Sequence, residues 1–184
     1  MKKNPTHYIG NLLIVSSLAG FAYIFFPLVN VYLNPPKVQS LANKNGTFIT
    51  IKKISAQALI SENVDPYNEA EYQKKLKNSV AHASGTSLPG TNGTSFIFAH
   101  SSGPPWEQTR YNTIFLRLNE LSPGDEIVLQ RKGQVFKYSV REKKEVMPTD
   151  VKFLGKNDKS QLILQTCTPI GTDLKRLLVF ADPM

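Results

Sequence analysis

The chain has a single cysteine, Cys167, set in the run Ile163-Leu164-Gln165-Thr166-Cys167-Thr168-Pro169. Arg176 follows nine residues later inside a second apolar run, Leu174 to Phe180, and upstream His100 closes a third, Ser95-Phe96-Ile97-Phe98-Ala99. A thiolate is a nucleophile, an imidazole can protonate a departing amine, and a guanidinium can stabilise charge developing on a carbonyl oxygen. Together they equip a protein for acyl transfer through a thioester. Taken singly, each residue has an ordinary structural reading: from the thiol alone, a buried small hydrophobe and a working nucleophile stand level.

Three such side chains act together only if rigid elements bring them to one cleft. Each sits at or beside a strand-like segment. Phe48 to Ile51 alternates, Ala56 to Ile60 reads as the next strand, and Ser95–Ala99, Glu126–Arg131, Gln134–Val140, Ser160–Thr166 and Leu174–Ala181 follow. Turn chemistry separates them: Gly85 to Thr94 along its whole length, Ser122-Pro123-Gly124-Asp125, and Lys132-Gly133. Asp65-Pro66 reads as a helix start, with Glu69, Glu71, Lys74 and Lys75 near helical pair spacing. Asn112 to Leu121 reads as a short helix or strand of mixed pattern, and Pro148-Thr149-Asp150 begins a helical turn. The expectation is a mainly β domain, a small barrel or sandwich with minor helices.

The first segment is different. Tyr8 to Pro36 has no charged residue, and the stretch is long enough for a membrane-spanning helix of roughly 20 residues. Pro27 would kink such a helix or mark its last turn. Lys2 and Lys3 precede it and Lys37 follows, a balance that favours a cytoplasmic N-terminus and an external C-terminal domain. A cleaved signal peptide is the competing reading, disfavoured by the length of the stretch and the lack of a small-x-small site. The expected division is a cytoplasmic N-terminus over residues 1–7, a transmembrane anchor over 8–33, a linker over 34–45 and a catalytic domain over 46–184.

The chain has 22 Lys and Arg against 14 Asp and Glu, a formal net charge of +8. The basic residues alternate with acids and do not interleave with aromatics, so nucleic acid is not an expected partner; a solvated surface facing an anionic envelope accounts for the excess. No His, Cys and carboxylate spacing suits a transition metal.

In order, the chain reads Gly-Thr-x-Leu-Pro-Gly, an apolar strand ending in His100, a Pro-Gly-Asp turn, Leu164-Gln165-Thr166-Cys167 with Thr168-Pro169, and Arg176-Leu-Leu-Val. This set resembles the sortase family over about residues 46–184, and the uncharged N-terminal span resembles the usual sortase anchor. Two positions depart from the family pattern: Ile163 stands where Thr usually opens the nucleophile motif, and Ala99 where Gly often precedes the catalytic His. Both bear on subclass and substrate preference more than on the chemistry.

The resemblance implies a closed, sortase-type β-barrel of about eight strands with short helices, preceded by one transmembrane helix. It implies a cysteine transpeptidase acting on a Leu-Pro-x-Thr-Gly-like sorting signal of secreted proteins. Cys167 would attack the carbonyl between Thr and Gly, Arg176 would stabilise the oxyanion, His100 would protonate the departing amine, and Thr166 would line the substrate groove. An amine from a peptidoglycan precursor or a pilin lysine would resolve the thioacyl enzyme. The catalytic domain would be extracellular on a single-pass cell-membrane protein. Some members of the family bind calcium, but no calcium site maps onto this chain; no cofactor is expected.

Other motifs have plainer readings. Leu88-Pro89-Gly90-Thr91-Asn92 looks like a sorting signal but lies mid-domain, and reads as the turn before the His-bearing strand. Asn45-Gly46-Thr47 and Asn92-Gly93-Thr94 match glycosylation acceptors, and read as turns. His82 reads as structural and as the second-choice imidazole, His7 as interfacial, and Trp106 as packing its loop. Two rival functions stand beside the first. An L,D-transpeptidase would place Arg two residues after Cys, where this chain has Pro169. A non-enzymatic anchored β-domain would bind an envelope partner and keep Cys167 buried and inert.

Overall fold

A computed structural model describes residues 5–34, 46–103, 111–155 and 157–184. Residues 35–45 of the expected linker, and Trp106, lie outside the described residues. The N-terminal helix α1 (Pro5–Leu33) is uncharged and exposes its apolar side chains, and His7–Phe26 is long and apolar enough to cross a membrane. It passes through Pro27 and ends at Leu33.

Eight strands follow: β1 (Thr47–Ile51), β2 (Ala56–Val64), β3 (Val80–Ala83), β4 (Thr94–Phe98), β5 (Glu126–Arg131), β6 (Gln134–Val146), β7 (Gln161–Thr168) and β8 (Lys175–Pro183). They close into a barrel in the order β1-β2-β3-β4-β7-β8-β6-β5, with β5 pairing back onto β1. Closure leaves no open sheet edge. Two pairings are parallel, β2 with β3 and β4 with β7, and all others are antiparallel. A parallel pair needs a crossover. The helix α2 (Glu69–Leu76) supplies it between β2 and β3. Between β4 and β7 the chain first builds β5 and β6.

The inward side chains fill the barrel: Ile49, Ile51, Ile97, Leu129, Leu162, Leu164 and Val179 are fully buried, with Phe115, Leu118 and Leu121 closing over them. Each such side chain contributes roughly 1.5–3 kcal/mol of transfer free energy. Helix α2 begins later than Asp65-Pro66: Asn68 caps it, its Oδ1 accepting the Glu71 N–H at 3.2 Å, with Glu69 and Glu71 in the first turn and Lys74 and Lys75 in the last, the arrangement that suits the helix dipole. Residues 112–121 form turns and a short 3-10 helix, Leu118–Glu120, and not a strand. The helical turn expected after Pro148 is another 3-10 segment, Val151–Phe153.

His82 is fully buried in β3. Its Nδ1 accepts the Asn63 N–H at 3.3 Å, so Nε2 carries the proton and donates to the Ser87 carbonyl at 3.0 Å. The ring therefore ties β2 to the turn that leads into β4. Burial lowers its pKa below the ordinary value, which keeps the ring neutral.

Candidate functional site

β7 and β8 run antiparallel with Cys167 directly opposite Arg176. The eight residues between them make a hairpin, which places sulfur and guanidinium at one end of a rigid pair. On the other side of β7 lies β4, in parallel register, with Phe98 opposite Gln165. Two further bonds extend that pairing past the end of β4. The Ala99 N–H donates to the Gln165 carbonyl at 3.1 Å, and the Thr166 hydroxyl donates to the Ala99 carbonyl at 3.0 Å. His100 thus leaves β4 beside the point where Cys167 leaves β7. The Phe115 N–H holds the His100 carbonyl at 3.3 Å from the opposite side.

Cys167, His100 and Arg176 all line one open cavity of about 790 Å³. The cavity has an apolar wall and a polar wall. Tyr72 and Leu76 of α2, Phe96 and Phe98 of β4, and Val151 and Leu154 form the first. Ser101 and Ser102 after β4, with Gly171 to Asp173 after β7, form the second. The two loops of the polar wall are joined, since the Gly171 N–H donates to Ser102 Oγ at 3.0 Å.

Burial raises the Cys167 thiol pKa above its ordinary value, Arg176 opposes that shift and Asp173 reinforces it. Burial lowers the pKa of His100. Burial therefore favours the neutral form of both groups, thiol and imidazole, at neutral pH. Arg176 Nη1 is anchored on the Asp173 carbonyl at 2.8 Å and the Lys175 carbonyl at 3.3 Å. Its remaining donors have no partner among the described residues, so they are available to a substrate oxygen.

The fourth residue expected at the site, Thr166, lines the cavity but is only 4% exposed. Its hydroxyl is committed to Ala99, which makes it first a clamp between the Cys167 and His100 strands. His82, the second-choice imidazole, does not line the cavity. Sequence reasoning missed Tyr72, whose ring meets Phe98 edge-on at 5.9 Å between centroids, and also Ser102 and Asp173. Burial raises the Tyr72 pKa, and the ring lies within electrostatic reach of Cys167 and Arg176. Nothing in the spacing of an exposed-looking amphipathic helix marks that one residue as facing the thiol.

The sortase domain model matches residues 49–184. Sortase D of Bacillus subtilis is 27% identical over 136 residues, which cover 72% of this chain and 60% of that protein. The chain thus spans about three-fifths of the length of this relative. Among solved structures, sortase C-1 from Actinomyces oris superposes with a TM-score of 0.63 at 28% identity, covering 86% of this chain and 82% of that one. A lid mutant of sortase A from Corynebacterium diphtheriae gives 0.61 at 28% identity, covering 84% and 76%. A closed eight-strand barrel and a match along nearly all of it place the chain in the sortase family, a family of cysteine transpeptidases.

Proposed function

We propose that this protein is a membrane-anchored transpeptidase that cleaves a Leu-Pro-x-Thr-Gly-like sorting signal between Thr and Gly and passes the acyl group to an amine. The observation that carries this reading is the pairing of Cys167 with Arg176 across β7 and β8, on a cavity that His100 also lines. In the minor ionised form, the Cys167 thiolate attacks the threonyl carbonyl carbon. Arg176, opposite the sulfur and with free donors, stabilises the oxyanion. The His100 imidazolium protonates the departing glycyl amine as the C–N bond breaks, leaving a thioester. Neutral His100 then takes a proton from the incoming amine, the new C–N bond forms and thiolate leaves.

The apolar wall suits the Leu and Pro of the signal, since it offers the side chains of Tyr72, Phe98 and Leu154. Helix α1 serves as the anchor, with residues 1–7 on the cytoplasmic side and the barrel outside, where secreted substrates emerge. Tethering raises the effective concentration of enzyme at a membrane-held client. The sorting-signal protein and an envelope amine, from a peptidoglycan precursor or a pilin, are the partners this reading requires.

The test is to incubate the full chain in detergent with a panel of sorting-like peptides and amines and read products by mass spectrometry. Wild type forms cleaved and amine-linked products, and Cys167→Ala forms neither while keeping its fold. Turnover by Cys167→Ala ends the assignment. An inert, unalkylatable Cys167 in the native protein favours the non-enzymatic binding domain instead.

A further inference from the structure

The polar wall of the cavity has features that acyl-peptide binding does not use. Ser101 is 3% exposed, lines the cavity, and its hydroxyl has no hydrogen-bond partner among the described residues. A buried hydroxyl without a partner costs free energy unless a ligand supplies one. Next to it, Ser102 Oγ accepts the Gly171 N–H with one lone pair, which leaves its second lone pair for a donor in the cleft. Across the gap stands Asp173, exposed on the loop after β7. Its carboxylate has no ion-pair or hydrogen-bond partner among the described residues. Its basic neighbour Lys175 is paired with Glu145 at 3.0 Å, and Arg176 holds the Asp173 backbone carbonyl, not its side chain. Asp173 is also near enough to Cys167 to oppose formation of the thiolate. A carboxylate in that place works against the nucleophile, so it calls for another role.

We propose that Asp173, Ser101 and Ser102 form the acceptor side of the site, which binds the incoming amine as its ammonium ion. This inference rests on the transpeptidase reading and specifies its second substrate. An alkyl amine has a pKa near 10 and arrives protonated at neutral pH. The carboxylate draws it to the side of the cavity away from the apolar wall, and the two hydroxyls take its N–H groups. To react, the ammonium gives one proton to neutral His100. Its lone pair then forms the C–N bond, the C–S bond breaks to return the Cys167 thiolate, and the second nitrogen proton passes to water. Cationic amines are thus preferred over neutral nucleophiles and over water.

The experiment measures how the thioacyl enzyme of the full chain divides between added nucleophile and water. The acyl donor is a sorting-like peptide, and the nucleophiles are 1,5-diaminopentane, which is cationic, and hydroxylamine, which is neutral. This ratio does not depend on how fast the thioester forms. For Asp173→Asn the ratio with diaminopentane falls about fivefold, as expected for losing one partly screened charge contact. The ratio with hydroxylamine moves less than twofold, and Asp173→Glu recovers most of the loss. Added salt narrows the wild-type preference in the same direction. Equal loss with both nucleophiles, or no loss with either, overturns the acceptor role while leaving the transpeptidase reading in place. Failure of wild type to form any thioacyl enzyme removes the transpeptidase reading and this one with it.

Discussion

Thr166→Val separates two roles for the residue beside the nucleophile. The substitution keeps the β-branched shape and the strand preference, and deletes one hydroxyl. In the wild type that hydroxyl, 4% exposed, donates to the Ala99 carbonyl at 3.0 Å. The loss leaves a carbonyl without that donor inside the β4–β7 seam, at a cost of about 1–3 kcal/mol. For a domain of this size each kcal/mol lowers Tm by roughly 2–4 °C, so the expected drop is about 2–12 °C. The same bond joins the strand ends that carry His100 and Cys167, and a misplacement of about 1 Å costs on the order of a hundredfold. The expected fall in kcat is therefore about ten- to a hundredfold, with KM changed little. Thr166→Ser keeps the hydroxyl and recovers most of both losses. Differential scanning calorimetry and steady-state cleavage of a sorting-like peptide read the two effects. A Thr166→Val protein with wild-type Tm and kcat and a raised KM refutes the clamp, and returns Thr166 to the groove-lining role expected from the motif.

Further outcomes follow from the same geometry. Burial pushes the Cys167 thiol pKa up and the His100 imidazole pKa down, so thiolate is the minor form of Cys167 near neutrality. Alkylation of Cys167 by iodoacetamide accordingly rises about tenfold per pH unit through neutrality, with its midpoint above that of an ordinary thiol, and a rate already level at pH 7 contradicts the assigned burial effect. The fully buried His82 has a depressed pKa in the folded state. The unfolded chain therefore binds the extra proton first as pH falls below about 6.5, and stability drops by up to about 1.4 kcal/mol per pH unit until the folded pKa is reached. Urea unfolding at pH 7.5, 6.5 and 5.5 measures this, and a midpoint that rises towards acid refutes it. Gly93→Ala places a Cβ 2.8 Å from the Asn157 carbonyl and 2.3 Å from Ser87 Oγ at a φ of +103°. It is expected to cost at least about 2 kcal/mol, read as a lower denaturation midpoint.

The barrel was readable where one face of a strand is apolar and turns bound it. β4, β5, β7 and β8 appear within a residue or two of their expected limits. β3 gave no such signal, because Val80, Ala81, His82 and Ala83 are all buried and the run neither alternates nor excludes a polar group. The outer half of β6 was hidden by Arg141-Glu142-Lys143-Lys144-Glu145, whose side chains face solvent beyond a register shift at Val140/Glu142. The site was half visible. The nine-residue spacing of Cys167 and Arg176 fits a hairpin, and the structure pairs them directly. The parallel docking of β4 on β7 joins Ala99 to Thr166 across 67 positions, and no local pattern encodes that contact. Tyr72 and Asp173 reach the cavity only because the barrel brings α2 and the loop after β7 to the same mouth.

The central claim is a covalent acyl enzyme on Cys167. Acid quenching of the full chain during turnover of a sorting-like peptide, followed by intact-protein and peptide mass spectrometry, tests it directly. The account predicts a mass increase equal to the peptide through its Thr, carried on the fragment containing Cys167, removed by hydroxylamine and absent in Cys167→Ala. Cleaved product accumulating without that adduct, or an adduct on any other residue, contradicts it.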